Sequence, residues 1–123
     1  MLLIKQFQFD AAHQLAANVP DSHKYSRLHG HSFDVELQFS GEPDAQTGWV
    51  CDFAEIDVVI ADIRGALDHQ YLNEIDGLTV PTLEHICMWI WQKTHPRLPL
   101  LSQVKVLRGS CQEGCIYTGP VAG

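Results

Sequence analysis

Hydrophobic and polar residues alternate along two stretches of this chain, then give way to a three-and-four spacing. From His29 the odd positions carry His29, His31, Phe33, Val35, Leu37 and Phe39, and the even positions carry Gly30, Ser32, Asp34, Glu36, Gln38 and Ser40. A period of two is that of a strand with one face buried, so 29–40 reads as a strand. Residues 2–14 read the same way, with Phe7, Phe9, Ala11 and His13 on one side. Between them, 15–28 reads as a polar loop containing Pro20, Asp21, Ser22 and Ser26, and Gly41 through Gly48 reads as a turn. Phe53, Ile56, Ile60, Ile63 and Leu67 then step by three and four, which predicts an amphipathic helix over 53–67. Asp52 stands where an N-cap belongs, with Glu55 three residues on.

A loop over 68–80 leads into Pro81-Thr82-Leu83-Glu84, which opens a second helix with Thr82 as its N-cap. That helix carries Ile86, Trp89, Ile90 and Lys93 and ends before His95-Pro96. Arg97 to Leu101 reads as a connector. Val104, Val106 and Arg108 alternate with Lys105 and Leu107 as a third strand, and Cys115 to Thr118 forms a short fourth. The order ββααββ, with strands and helices segregated, predicts an α+β fold: a four-stranded antiparallel sheet with two helices on one face. A chain of 123 residues is expected to be one domain, 1–123, and no repeat or linker divides it.

Charge and composition narrow the partners. The formal charge is −7, with 15 acidic against 8 basic residues and no basic run, which argues against nucleic acid or an anionic membrane surface. A locally positive pocket for an anionic substrate remains compatible with that balance. No stretch reaches the roughly 20 apolar residues of a membrane span, and no signal peptide opens the chain, so the cytoplasm is the expected compartment. The four cysteines, Cys51, Cys87, Cys111 and Cys115, make no paired Cys-x-x-Cys motif. Cys111 and Cys115 read as reduced residues near a turn, and Cys51 and Cys87 as small hydrophobes.

The histidines carry the chemistry. Two His at i and i+2 share a side only on a strand, so His29 and His31 both fall on the apolar phase, as does His13 in the first strand. One such His reads as a core imidazole bonded to backbone. Three on matching faces suit a metal, because neutral imidazole binds zinc at about 2.0–2.1 Å and three protein ligands leave a position open.

At these residues the chain resembles the 6-pyruvoyl-tetrahydropterin synthase / 6-carboxy-tetrahydropterin synthase family. The resemblance rests on Phe9-x-Ala11-Ala12-His13, Arg27-Leu28-His29-Gly30-His31-Ser32-Phe33, Gly48-Trp49 with Asp52-Phe53, Leu67-Asp68-His69-x-Tyr71-Leu72-Asn73, Pro81-Thr82-x-Glu84 and Cys115-Ile116-Tyr117. It runs in order from the first strand to the last and is similar above all to the bacterial branch that makes a queuosine precursor. The resemblance implies the tunnelling fold (T-fold), whose subunits join sheets into a barrel as a homo-trimer or a homo-hexamer. It implies that His13, His29 and His31 hold Zn(2+), that Asp68 and His69 are a catalytic pair, and that Glu84, with Thr82 in the same motif, belongs to the substrate pocket. The implied reaction converts 7,8-dihydroneopterin triphosphate to 6-carboxy-tetrahydropterin, acetaldehyde and triphosphate, with the metal as Lewis acid.

Two positions depart from the family pattern. Where the family carries a catalytic Cys, four residues before His29, this chain has Tyr25. Tyr25 reads either as a replacement base, with a phenol reference pKa of about 10 against about 8.5 for a thiol, or as an aromatic packing over the site mouth. Where the family carries a Glu that anchors the pterin, this chain has Gly109, and Glu113 or Glu84 are the acids that could compensate. The alternatives kept beside the synthase are therefore a 6-pyruvoyl-type or aldolase-like pterin enzyme with altered chemistry, and a non-catalytic metal- or pterin-binding paralogue.

Overall fold

The computed structural model describes residues 1–14 and 29–121, with the backbone alone at His29. The expected loop over 15–28, including Tyr25, lies outside the described residues. The two alternating stretches form strands β1 (Leu2–His13) and β2 (His29–Ser40), which pair antiparallel from Leu2↔Ser40 to His13↔His29. Helices α1 (Phe53–Leu67) and α2 (Leu83–Thr94) follow, then β3 (Leu101–Arg108) and β4 (Glu113–Tyr117). The sheet order is β1-β2-β3-β4, antiparallel throughout.

Alternation decides which face is covered. The inward phase of β1, β2 and β3 supplies Phe9, Phe33, Val35, Leu37, Phe39, Val104 and Val106, all buried. Both helices pack on that face, α1 against β1 and α2 against β3 and β4. Ile56, Val59, Ile60, Ile63 and Leu67 are the buried stripe of α1, and Ile86, Cys87, Trp89 and Ile90 are part of that of α2. Fully burying one such side chain is worth about 1.5–3 kcal/mol. The opposite face stays polar: Gln6 and Gln38 both donate to Glu36, and Gln8 donates to Asp34.

The caps are those the sequence predicts. Asp52 accepts from the Ala54 amide at 2.8 Å, and the Thr82 hydroxyl accepts from the His85 amide at 3.2 Å. Three expectations need correction. Phe53 leaves the apolar stripe: it is exposed at the first turn of α1, with Lys5 Nζ 5.6 Å from its ring centre, and Val59 takes its place in the core. β3 starts at Leu101 rather than Val104, because a register shift between Gln38 and Phe39 lets Leu101 pair with Phe39 and breaks the alternation. β4 spans Glu113–Tyr117 rather than 115–118, because Gln112 adopts a left-handed conformation (φ 56°) that turns the chain back two residues earlier. The loop over 68–80 also contains a 3-10 turn, Leu72–Glu74. All four cysteines are free; Cys87 is buried, and desolvation, with Cys115 beside it, pushes its thiol pKa up.

Candidate active site

The end of the β1–β2 ladder gathers the imidazoles. His13 is fully buried, and its ring centre lies 5.1 Å from that of half-buried His31, nearly perpendicular to it. Both rings meet Phe33 edge-on, at 5.8 and 5.9 Å, and Phe33 stacks on Phe9 at 4.9 Å. The aromatic pair thus forms a dry floor under the two imidazoles. His13 Nδ1 lies 2.9 Å from the carbonyl of Pro81, just before α2. A carbonyl only accepts, so Nδ1 carries the hydrogen and Nε2 holds the lone pair of the neutral ring. A carbonyl that fixes the tautomer from behind is the usual outer support of a metal-binding histidine. This donor set fits a divalent ion of the kind that takes imidazole nitrogen. His29 stands opposite His13 in the ladder; its side chain lies outside the described residues.

Asp68 and His69 are mounted on the edge of β1. The Asp10 amide donates to Asp68 Oδ1 at 2.9 Å, and the His69 amide donates to the Asp10 carbonyl at 2.6 Å. Ala12 continues this docking, donating to the Gln70 carbonyl and bridging Tyr71. The other carboxylate oxygen of Asp68 meets His69 Nδ1 at 3.0 Å and Arg64 at 3.2 Å. The Asp10 amide, the His69 ring and the Arg64 guanidinium together hold the Asp68 carboxyl below its ordinary pKa. His69 has φ 58°, a left-handed conformation uncommon for a residue with a Cβ. Its side chain is 77% exposed.

A cavity of about 550 Å³ lies here, lined by Asp10, Ala12, Gly30, His31, Ser32, His69, Gln70 and Tyr71 among others. It brings His31 and His69 to one depression. Thr82 and Glu84 do not line it. Thr82 caps α2 and Glu84 is exposed in its first turn. Of the two acids that could replace the anchor missing at Gly109, Glu113 is bound to the buried Arg108 at 2.7 Å. Asp10 and Ser32 were not anticipated as site residues. Ser32 donates to Asp10 at 2.6 Å, and one ligand-type atom each of Asp10, Asp68 and His69 lie within 4.8 Å of one another, donor types that can also hold a cation. Their only signal in the sequence is their place on the polar phase beside the histidines.

The profile of the family described as "6-pyruvoyl tetrahydropterin synthase" matches residues 2–120. The chain belongs to this family. Among its relatives, a 6-carboxy-5,6,7,8-tetrahydropterin synthase of Synechocystis is 35% identical over 125 residues, covering 97% of this chain and 94% of that protein. A dihydroneopterin monophosphate aldolase of Pyrococcus furiosus is also 35% identical, over 91% of this chain and 89% of that protein. The solved structure of Caenorhabditis elegans 6-pyruvoyl tetrahydropterin synthase superposes with a TM-score of 0.86 at 23% identity, covering 98% of this chain and 96% of that one. That likeness identifies the tunnelling fold of the synthase family. No helix among the described residues is long and apolar enough to cross a membrane.

Proposed function

We propose that this member of the synthase family is a 6-carboxy-5,6,7,8-tetrahydropterin synthase. It converts 7,8-dihydroneopterin triphosphate to 6-carboxy-tetrahydropterin, acetaldehyde and triphosphate, in the cytoplasm and toward a queuosine precursor. The observation that carries this reading is the presence of both halves of the site, His13 packed with His31 at the end of the β1–β2 ladder and Asp68 bonded to His69 at the edge of β1, in a chain 35% identical to the Synechocystis synthase. His13, His29 and His31 would hold zinc, and the bound ion supplies Lewis-acid polarisation of the substrate's side-chain oxygens.

The chain's own residues supply the rest. Asp68, kept ionised, binds His69 Nδ1–H and leaves the second ring nitrogen to take a proton from the substrate side chain. Tyr25, in the family's Cys position, shares proton transfer or shields the mouth, and Glu84 and Thr82 recognise substrate at the start of α2. His13 projects to the buried face of the sheet, whereas Asp10, beside His69, is exposed on the opposite phase. We infer that the site is completed between copies, the Asp68–His69 pair of one chain serving the imidazoles of its neighbour. A homo-trimer or homo-hexamer that joins the β1 and β4 edges into a barrel would achieve this and cover the unpaired strand edges.

A second reading has its own support. The Pyrococcus furiosus aldolase shares the same 35% identity with this chain as the synthase, over a slightly shorter span, and Tyr25 replaces the family Cys. Zinc-loaded protein incubated with 7,8-dihydroneopterin triphosphate, with products followed by mass spectrometry, separates the two. 6-Carboxy-tetrahydropterin with acetaldehyde supports the synthase. 6-Hydroxymethyl-dihydropterin with glycolaldehyde triphosphate supports aldol cleavage, and unchanged substrate overturns both for this compound.

A further inference from the structure

We infer that Asp10 is a positioning residue for His69, a role resting on the reading of Asp68–His69 as the acid–base pair. The two residues of the pair sit far along the chain from β1, yet every main-chain anchor that aims them at β1 belongs to one residue. The Asp10 amide holds Asp68 Oδ1, and the Asp10 carbonyl holds the His69 amide. Those bonds clamp His69 in its left-handed conformation, which the residue would not otherwise favour.

The Asp10 side chain is fixed as well. Its cross-strand partner is Ser32, whose hydroxyl donates to Oδ1 at 2.6 Å. Anchored there, the carboxylate has an oxygen within 4.8 Å of the Asp68 carboxylate and of a His69 ring nitrogen. The ring of His69 is largely exposed, so packing alone does not restrict its rotation. Asp68 bonds one ring nitrogen, and Asp10 stands as a second acceptor within a bridging water's reach of the ring. Among the described residues, the groups around the pair are Asp10 from β1, Ser32 bonded to it from β2, and Arg64 and Gln70, both bonded to Asp68 at the end of α1. Among these, Asp10 is the carboxylate not engaged by a basic side chain. It sets the ring's orientation through a polar contact and touches no reacting atom.

A double-mutant cycle tests this. Asp10→Asn keeps the main-chain anchors and the shape while removing the charge. On zinc-loaded protein with 7,8-dihydroneopterin triphosphate, Asp10→Asn should lower kcat about tenfold, with KM within about twofold and metal content unchanged. In a His69→Ala background the same substitution should have no further effect, because the residue it positions is gone. Asp10→Glu should recover part of the loss. An equal loss in both backgrounds, or an equivalent of metal lost with Asp10→Asn, would overturn the inference. A readout without turnover separates it from the parent reading. Long-range proton–nitrogen NMR of His69 should show a changed ratio of ring tautomers in Asp10→Asn. An unchanged ratio rejects the role of Asp10, whereas full activity in His69→Ala rejects the acid–base pair itself.

Discussion

The two groups of this site are built in opposite ways. The imidazoles of His13 and His31 stand inside the fold on an aromatic floor, and a main-chain carbonyl sets the tautomer of His13. The Asp68–His69 pair stands outside it, clipped to a strand edge by amides, with its imidazole in solvent. The first arrangement suits a ligand sphere, where each donor must stay neutral and fixed. The second suits proton transfer, where the ring must change charge and meet a substrate. On the proposed reading, one short hairpin end separates holding from moving, and substitutions should fail differently in the two halves.

The largest contrast is between His31→Ala and His69→Ala. Both should lower turnover by about 10²–10⁴-fold, the span of a lost positioned base. Only His31→Ala should also lose metal, and elemental analysis of the purified variants reads this directly. Mixing the two inactive proteins after mild dissociation should restore a fraction of activity if the pair serves a neighbouring chain. No recovery, with mixed oligomers verified by mass spectrometry, would place both halves of the site on one chain.

Packing provides the next contrast. Phe33 has no exposure and supports both imidazoles, so Phe33→Ala should cost about 3–5 kcal/mol in urea unfolding as well as metal affinity. The outer pair offers a smaller effect of backbone origin. Both His69→Gly and His69→Ala remove the ring, but only glycine accepts φ 58° without strain. The glycine variant should be more stable by about 1 kcal/mol, measured by the same denaturation.

The smallest effect is one of pH. The Asp68 carboxyl is depressed in the folded state, first by the Asp10 amide, relative to about 3.9 unfolded. The unfolded chain therefore binds the proton more readily, and the stability this group contributes is full above about pH 4 and is lost as pH falls through the folded value. Comparing urea midpoints of wild type and Asp68→Asn from pH 6 downward should show a difference that shrinks in acid. A difference constant across that range would mean the carboxylate contributes nothing through its charge.

Much of the inner half is legible in the sequence because it is local. Phe9, Ala11 and His13, or Phe33 and His31, declare their face by alternation alone, and Asp52 and Thr82 declare the helix starts. The outer half is a long-range arrangement. Asp68 is recognised by resemblance, but nothing in a strand pattern reveals that Asp10, 58 positions away, would hold it. The missed strand ends have the same character. A bulge at Gln38/Phe39 places Leu101 in register against the expected pattern, and the left-handed turn at Gln112 uses a residue that does not announce one. Phe53 misleads because a helix's first turn can satisfy the apolar spacing while extending past the edge of the core.

The bond from His13 to Pro81 also affects how this protein responds to variation. Its acceptor is a main-chain oxygen, which every amino acid carries, so no replacement of side chain 81 deletes it. Saturation mutagenesis at that codon would report tolerance wherever the local path of the chain survives. Changing the number of residues between the two helices would move the oxygen itself. Deletions and insertions in that connection, rather than point changes, are the perturbations to which this support of the imidazole is exposed.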